Sequence, residues 1–241
     1  MTPFRRVAML GIGLINGSLA AVLRRQGAAG EIVAYARREQ TRARAVELGL
    51  CDRAEADPAA AVAGADLVVI GVPPAAVGEV AAAMRPGLSA EAIVTDVSSI
   101  KAQVVREVVP HLPDRSRFVP GHPVAGTEHS GPDAAFATLF ERRRCVLTPI
   151  EDTDPLAVER IREMWELAGS SVDTMTPEHH DRVLAITSHL PHLIAYTIVG
   201  TASDLEEVTE GEVIKYSAGG FRDFTRIAAS DPTMWRDVFL S

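Results

Sequence analysis

The chain has 241 residues, 47% of them hydrophobic and 23% charged, with a formal net charge of -8 and an isoelectric point near 5.4. That length and apolar content predict a soluble globular fold with ample core, one large domain or one and a half ordinary ones. The acidic balance argues against nucleic acid or an anionic membrane as partner. Two cysteines without metal-type spacing, Cys51 and Cys145, with no signal peptide and no long apolar span, point to a reducing cytoplasm.

In chain order, Val7-Ala8-Met9-Leu10 reads as a buried strand that runs into Gly11-Ile12-Gly13-Leu14-Ile15-Asn16-Gly17-Ser18 and then a helical pattern through Leu19, Val22 and Leu23. Gly-x-Gly between a strand and a helix is the setting of a dinucleotide fingerprint, because glycines permit the tight turn and let a pyrophosphate approach the helix N-terminus. Asn16 stands at the usual third glycine and weakens the pattern taken alone. Gly11, Gly13, Leu14 and Ile15 are the candidate cofactor residues of this turn. At the end of the next apolar run, Ile32 to Tyr35, an acid ordinarily binds the adenosine ribose, but here Ala36-Arg37-Arg38 follows. Arg37 and Arg38 suit a 2′-phosphate, so NADP is expected in preference to NAD, with NAD also possible.

Further apolar runs at Leu67–Ile70, Ala92–Thr95 and Cys145–Leu147 alternate with helical segments near 40–48, 75–84 and 100–109, which predicts an α/β fold with a parallel sheet. Val72 and Pro73, after the third run, are expected to line the cofactor groove, and Ser98, which follows the next strand at its carboxyl end, is a further candidate cofactor-binding residue. Phe118-Val119 leads into Gly121-His122-Pro123-Val124-Ala125-Gly126-Thr127-Glu128-His129-Ser130-Gly131, a histidine and an acid among glycines. We read it as a flexible loop that approaches a ligand, with His122 suited to proton transfer. Thr153-Asp154-Pro155 marks a helix entry, and Ser171–Met175 suggests one more strand.

Thr176-Pro177 then caps a helix after which no clear strand follows, so the domain boundary is expected there, with residues 1–175 as a Rossmann-type domain and 176–241 as an all-helical one. Pro191 should kink a helix over 177–202 and deprive the Thr187 carbonyl of its partner. His179 and His180, at its start, are expected to face solvent. His189 and His192 lie three apart on one helical face, but spacing supplies no third metal ligand, so no metal is expected.

The His122 stretch, Ser188-His189-Leu190-Pro191-His192, and the segment from Phe221 to Trp235, in this order behind the Gly11 turn, closely resemble the prephenate/arogenate dehydrogenase family of tyrosine biosynthesis, over essentially the whole chain. The resemblance implies oxidative decarboxylation of prephenate or L-arogenate and a homodimer formed through the helical domain. It implies that His122 accepts the ring hydroxyl proton, oriented by Ser99, that Arg226 binds the ring carboxylate, and that His192 binds substrate. Ser188, Glu128, His189, Arg222, Asp223 and Trp235 match positions that form or gate the pocket, although a Trp beside Pro232 and Met234 also suits plain packing. Family members continue with further helices past the Trp235 segment, so weaker dimer contacts and exposed apolar residues are expected near the end. No fused mutase or regulatory domain is evident, and tyrosine inhibition, if present, would act at the active site. Two alternatives stand beside this reading. A β-hydroxyacid dehydrogenase would need a catalytic lysine, for which Lys215 lacks the local motif, and a non-catalytic NADP sensor leaves His122, His192 and Arg226 unexplained.

Overall fold

The computed structural model, which describes residues 3–206 and 212–240, divides the chain into two units, Met1–Asp181 and Arg182–Ser241. In the first, β1 (Phe4–Leu10), α1 (Leu14–Arg25), β2 (Ala29–Tyr35), α2 (Glu39–Glu47), β3 (Arg53–Glu55), α3 (Pro58–Val62), β4 (Leu67–Ile70), α4 (Val77–Met84), β5 (Ile93–Asp96), α5 (Ala102–Val108) and β6 (Phe118–Val119) alternate as the sequence predicts. The strands form one sheet in the order β3-β2-β1-β4-β5-β6, every pairing parallel. Parallel strands flanked by helices are covered on both faces, which is why Val7, Ala8, Met9 and Leu10 form an unbroken apolar run and are all fully buried. The strand order reverses between β1 and β4, and ligands of such sheets bind at the carboxyl ends beside that switch. Neither β3 nor α3 was expected: β3 is three polar-flanked residues, and α3 is announced only by Asp57-Pro58, where Asp57 accepts from the Ala59 amide at 3.1 Å.

The parallel sheet expected from the alternation is present, but the Cys145–Leu147 run is not part of it. A second sheet holds β7 (Gly121–Pro123), β8 (Arg144–Leu147) and β9 (Ser171–Thr174), with β7 antiparallel to β8 and β8 parallel to β9. The physical cause is Pro120 between β6 and β7: it has no N–H for the ladder, and its carbonyl instead accepts from Thr148 at 2.8 Å, so the chain leaves the large sheet there. α6 (Pro155–Leu167) starts on Asp154, which accepts from the Leu156 amide, and packs Ile161, Met164 and Trp165 inward. Trp165 meets Phe140 edge-on at 5.1 Å.

α7 (Pro177–Leu184) opens on Thr176, whose hydroxyl accepts from the His179 amide at 3.3 Å, and it crosses from the first unit into the second a little beyond the expected boundary. The helix foreseen over 177–202 is not one kinked α-helix. A π-helical turn, Ala185–His189, separates α7 from α8 (Leu190–Glu206), and this wider turn falls just before Pro191, where an α-helix would bring the proline ring against the Thr187 carbonyl. Pro177–Leu205 is also long and apolar enough to cross a membrane by length and composition alone. Ser188, His189 and His192 interrupt its apolar run, which is why no long apolar span stands out in the sequence. α9 (Glu212–Lys215), α10 (Gly219–Thr225) and α11 (Pro232–Phe239) follow, and the Tyr196 hydroxyl donates to the Ser230 carbonyl at 2.6 Å. α8 exposes Leu190, Leu193, Ile194, Val199 and Leu205, and Leu240 is exposed near the end. Residues 207–211 and 241 of the expected helical domain lie outside the described residues.

Candidate active site

At the carboxyl end of β1 the chain turns at Gly11, with φ of +89° and space for no side chain: a Cβ there would stand 2.6 Å from the Gly71 carbonyl oxygen. Gly13 precedes α1 without a side-chain cap, and nothing lies within 4 Å of where its Cβ would be, so the backbone beside this helix start is open to the approach of a pyrophosphate. Asn16, at the usual third glycine, secures this turn. Its buried Nδ2 donates to the carbonyls of Gly11 at 2.8 Å and Val69 at 3.1 Å, locking the turn to β4. Leu14 is buried and Ile15 half-buried behind it. Arg37 and Arg38 are exposed after β2, with no ion-pair partner for either among the described residues. Arg42, which the sequence reading passed over, holds their loop by donating to the carbonyls of Ala36 and Arg37 at 2.8 and 2.9 Å. Val72 is half-buried at the end of β4, where its Cγ1 would meet a Gly11 side chain, and Pro73 is exposed. The Ser98 hydroxyl is buried with no hydrogen-bond partner among the described residues. An open Gly13, an orphaned Ser98 hydroxyl and two guanidiniums without ion-pair partners among the described residues fit a nicotinamide dinucleotide.

His122 is not in a flexible loop: it sits on β7 and is only 6% exposed. β7 is tied to the end of β5 by Asp96, whose Oδ1 accepts from the Gly121 amide at 3.1 Å and whose Oδ2 accepts from the Ser98 amide at 2.9 Å. The Lys101 ammonium, fully buried like Asp96, pairs with that carboxylate and donates to the Gly121 carbonyl at 2.6 Å. Burial pushes the Asp96 carboxyl up and the Lys101 ammonium down, with their mutual attraction opposing both shifts.

The side chain that meets His122 was expected in solvent. His180 is fully buried, and its Nε2 lies 2.8 Å from His122 Nδ1, while its Nδ1 lies 2.8 Å from Asp181 Oδ1. Asp181 in turn accepts from the amides of Lys101 and Ala102, each at 2.8 Å. Burial pushes the Asp181 carboxyl up, but the hydrogen bonds from His180 and the two amides outweigh it and hold the carboxyl below its usual range. The signal was present in the sequence: Pro177, His180 and Leu184 lie on one helical stripe, and all three are buried. His179, off that stripe, is exposed as expected. Ser99 is half-buried in the β5–α5 loop and Glu128 is exposed beyond β7. Cys51 and Cys145 are free and buried, and burial pushes the Cys51 thiol up to about 11, so both stay protonated.

Within the second unit, Ser188 and His189 lie in the π turn and His192 in the first turn of α8. His192 Nδ1 donates to the Ser188 carbonyl at 2.9 Å, which leaves Nε2 as an acceptor, and burial pushes its pKa down. Trp235, 7% exposed, stacks on His192 at 3.7 Å and 18°, and meets His189 edge-on at 6.0 Å. It is held on α11, whose cap Asp231 accepts from the Thr233 amide at 2.8 Å. Trp235 therefore packs, and what it packs is two of the candidate substrate residues. Arg222 and Asp223 on α10, and Arg226 just after it, are exposed.

Residues 19–174 match the family model of the prephenate dehydrogenase nucleotide-binding domain, and residues 176–241 that of the prephenate dehydrogenase dimerization domain. A cyclohexadienyl dehydrogenase of Zymomonas mobilis is 43% identical over 240 residues, covering 100% of this chain and 82% of its own length. A prephenate dehydrogenase of Bacillus subtilis is 35% identical, with 97% of this chain and 63% of its own length covered. Among solved structures, prephenate dehydrogenase of Aquifex aeolicus in complex with hydroxyphenyl propionate and NAD+ superposes with a TM-score of 0.90 at 38% identity, over 98% of this chain and 82% of that one. Synechocystis arogenate dehydrogenase gives 0.79 at 30% identity, over 98% and 83%. The chain belongs to the prephenate dehydrogenase family and is a nicotinamide-dinucleotide-dependent oxidoreductase.

Proposed function

We propose that the protein oxidatively decarboxylates prephenate, L-arogenate or both, giving 4-hydroxyphenylpyruvate or L-tyrosine with CO2, and that it prefers NADP. The observation that carries the reading is the attachment of His122, through Gly121 and Asp96, to the sheet edge that bears the Gly11–Gly13 turn. A bound nicotinamide would accept the hydride from the carbinol carbon of the ring. His122 takes the hydroxyl proton as that hydride leaves, the electrons of the ring–carboxylate bond restore aromaticity as CO2 departs, and the proton returns to the phenolate oxygen. Aromatisation drives the reaction, so the protein supplies orientation and a proton acceptor. By the family resemblance Ser99 also orients the imidazole, Arg226 pairs with the ring carboxylate, His192 binds substrate, and Ser188, Glu128, His189, Arg222, Asp223 and Trp235 form or gate the pocket. We place the protein in the cytoplasm, with the domain border near 176. A second copy is the proposed cover for the apolar residues that α8 exposes, in keeping with the dimerization domain matched there.

Paired kinetics with prephenate and L-arogenate, each with NADP, tests the activity: formation of reduced cofactor with at least one is expected, and turnover of neither by folded protein sinks the proposal. The cofactor preference rests on Arg37 and Arg38. Replacing both by alanine should lower kcat/KM with NADP by about 10- to 100-fold while leaving NAD nearly unchanged, the worth of a charge-assisted hydrogen bond to a 2′-phosphate. An equal loss with both cofactors would refute that role.

A further inference from the structure

We infer that Asp181 and His180 are positioning residues that fix the tautomer of His122 and make its Nε2 the proton-accepting atom. The catalytic consequence rests on the proposed role of His122, but the tautomer does not. An ionised carboxylate can only accept hydrogen bonds, and Asp181 takes the amides of Lys101 and Ala102 besides facing His180 Nδ1 at 2.8 Å. His180 must therefore carry its hydrogen on Nδ1. The lone pair of a neutral His180 then lies on Nε2, 2.8 Å from His122 Nδ1, and that contact is a hydrogen bond only when His122 Nδ1 is the donor. His122 is left with its lone pair on Nε2. Once Nε2 takes a proton, the imidazolium keeps its Nδ1–H on His180, which remains polarised by Asp181, and no proton passes beyond His122.

The arrangement is enclosed. His180 is fully buried, His122 nearly so, and Asp181 is fixed at the start of α5 by two backbone amides rather than by a mobile side chain. Ionisable groups that reach β7 among the described residues include the Asp96–Lys101 pair, which meets Gly121, and Cys145 on β8, whose thiol burial keeps protonated. Every member of the chain from α5 to β7 belongs to the first unit.

The first test needs no variant. Nitrogen-15 histidine spectra of the whole chain at about pH 8 should show His122, assigned by its loss in His122→Asn, with a protonated Nδ1 and an unprotonated Nε2. A protonated Nε2, or a His180 protonated on both nitrogens, overturns the inference. Asp181→Asn keeps an acceptor for α5 but can turn an amide N–H toward His180. It should reverse both tautomers and lower kcat by about 100-fold or more, with KM for substrate and dinucleotide changed less than about threefold. Asp181→Glu should recover part of that loss. A loss of kcat below about threefold in Asp181→Asn, or one shared equally by Asp181→Glu, refutes the positioning role. Should Asp181→Asn fail to fold, His180→Gln, whose carbonyl still accepts from His122 Nδ1, must retain more kcat than His180→Leu. Equality of the two overturns the inference. The expected tautomer in a protein that turns over neither substrate would count against the proposed activity and leave this geometry standing.

Discussion

Replacement of His122 by asparagine is expected to lower kcat by about 10²–10⁴-fold, the range that a positioned proton acceptor contributes. Asparagine keeps polar atoms on β7 but cannot take the hydroxyl proton. The Gly11–Gly13 turn, the Asn16 lock and the arginines after β2 are untouched by the substitution, so dinucleotide affinity should stay within about threefold when measured by titration. A loss of kcat under tenfold would place the proton acceptor elsewhere; a parallel loss of dinucleotide affinity would mean that His122 shapes the cofactor site rather than the chemistry.

The largest stability effect is expected at Lys101. Lys101→Met removes the cation facing Asp96 while both positions remain fully buried, and breaking such a pair costs about 3–5 kcal/mol because the remaining charge has no counterpart. Urea unfolding of the variant should show its midpoint shifted down accordingly. Asp96→Asn combined with Lys101→Met should recover much of the loss, since the uncompensated carboxylate is then gone, although Gly121 keeps one hydrogen bond fewer. A single variant as stable as the parent would contradict the buried pairing.

The Rossmann half was legible because its signals are local and periodic: an apolar strand, two glycines and an amphipathic helix in direct succession leave one arrangement. β3 was not, since the three residues from Arg53 to Glu55 owe their extended form to pairing with β2 and carry no alternation of their own. β7 was hidden for a related reason. Gly121-His122-Pro123 has the composition of a loop, and only Asp96, Lys101 and the partner strand β8 make it a strand. His122 was found as a residue type and missed as an environment. Its buried neighbour His180 belongs to a polar helix start, where the cap at Thr176 argued for surface and the stripe through Pro177 and Leu184 argued for core. Tertiary packing decided between them, and sequence spacing could not weigh the two. The π turn lay beyond reach in the same way: Pro191 announces that the regular helix must give, without saying whether it bends or widens.

The large sheet ends on one side in β3, three residues long and occupied by Arg53 and Glu55, and on the other in β6, only two residues long. Borders this brief present few unpaired amides and carbonyls to a neighbouring molecule, and charged residues on one of them oppose stacking further. Edge-to-edge aggregation, the characteristic hazard of an open parallel sheet, is thereby suppressed in a chain whose central strand β4 is apolar from end to end.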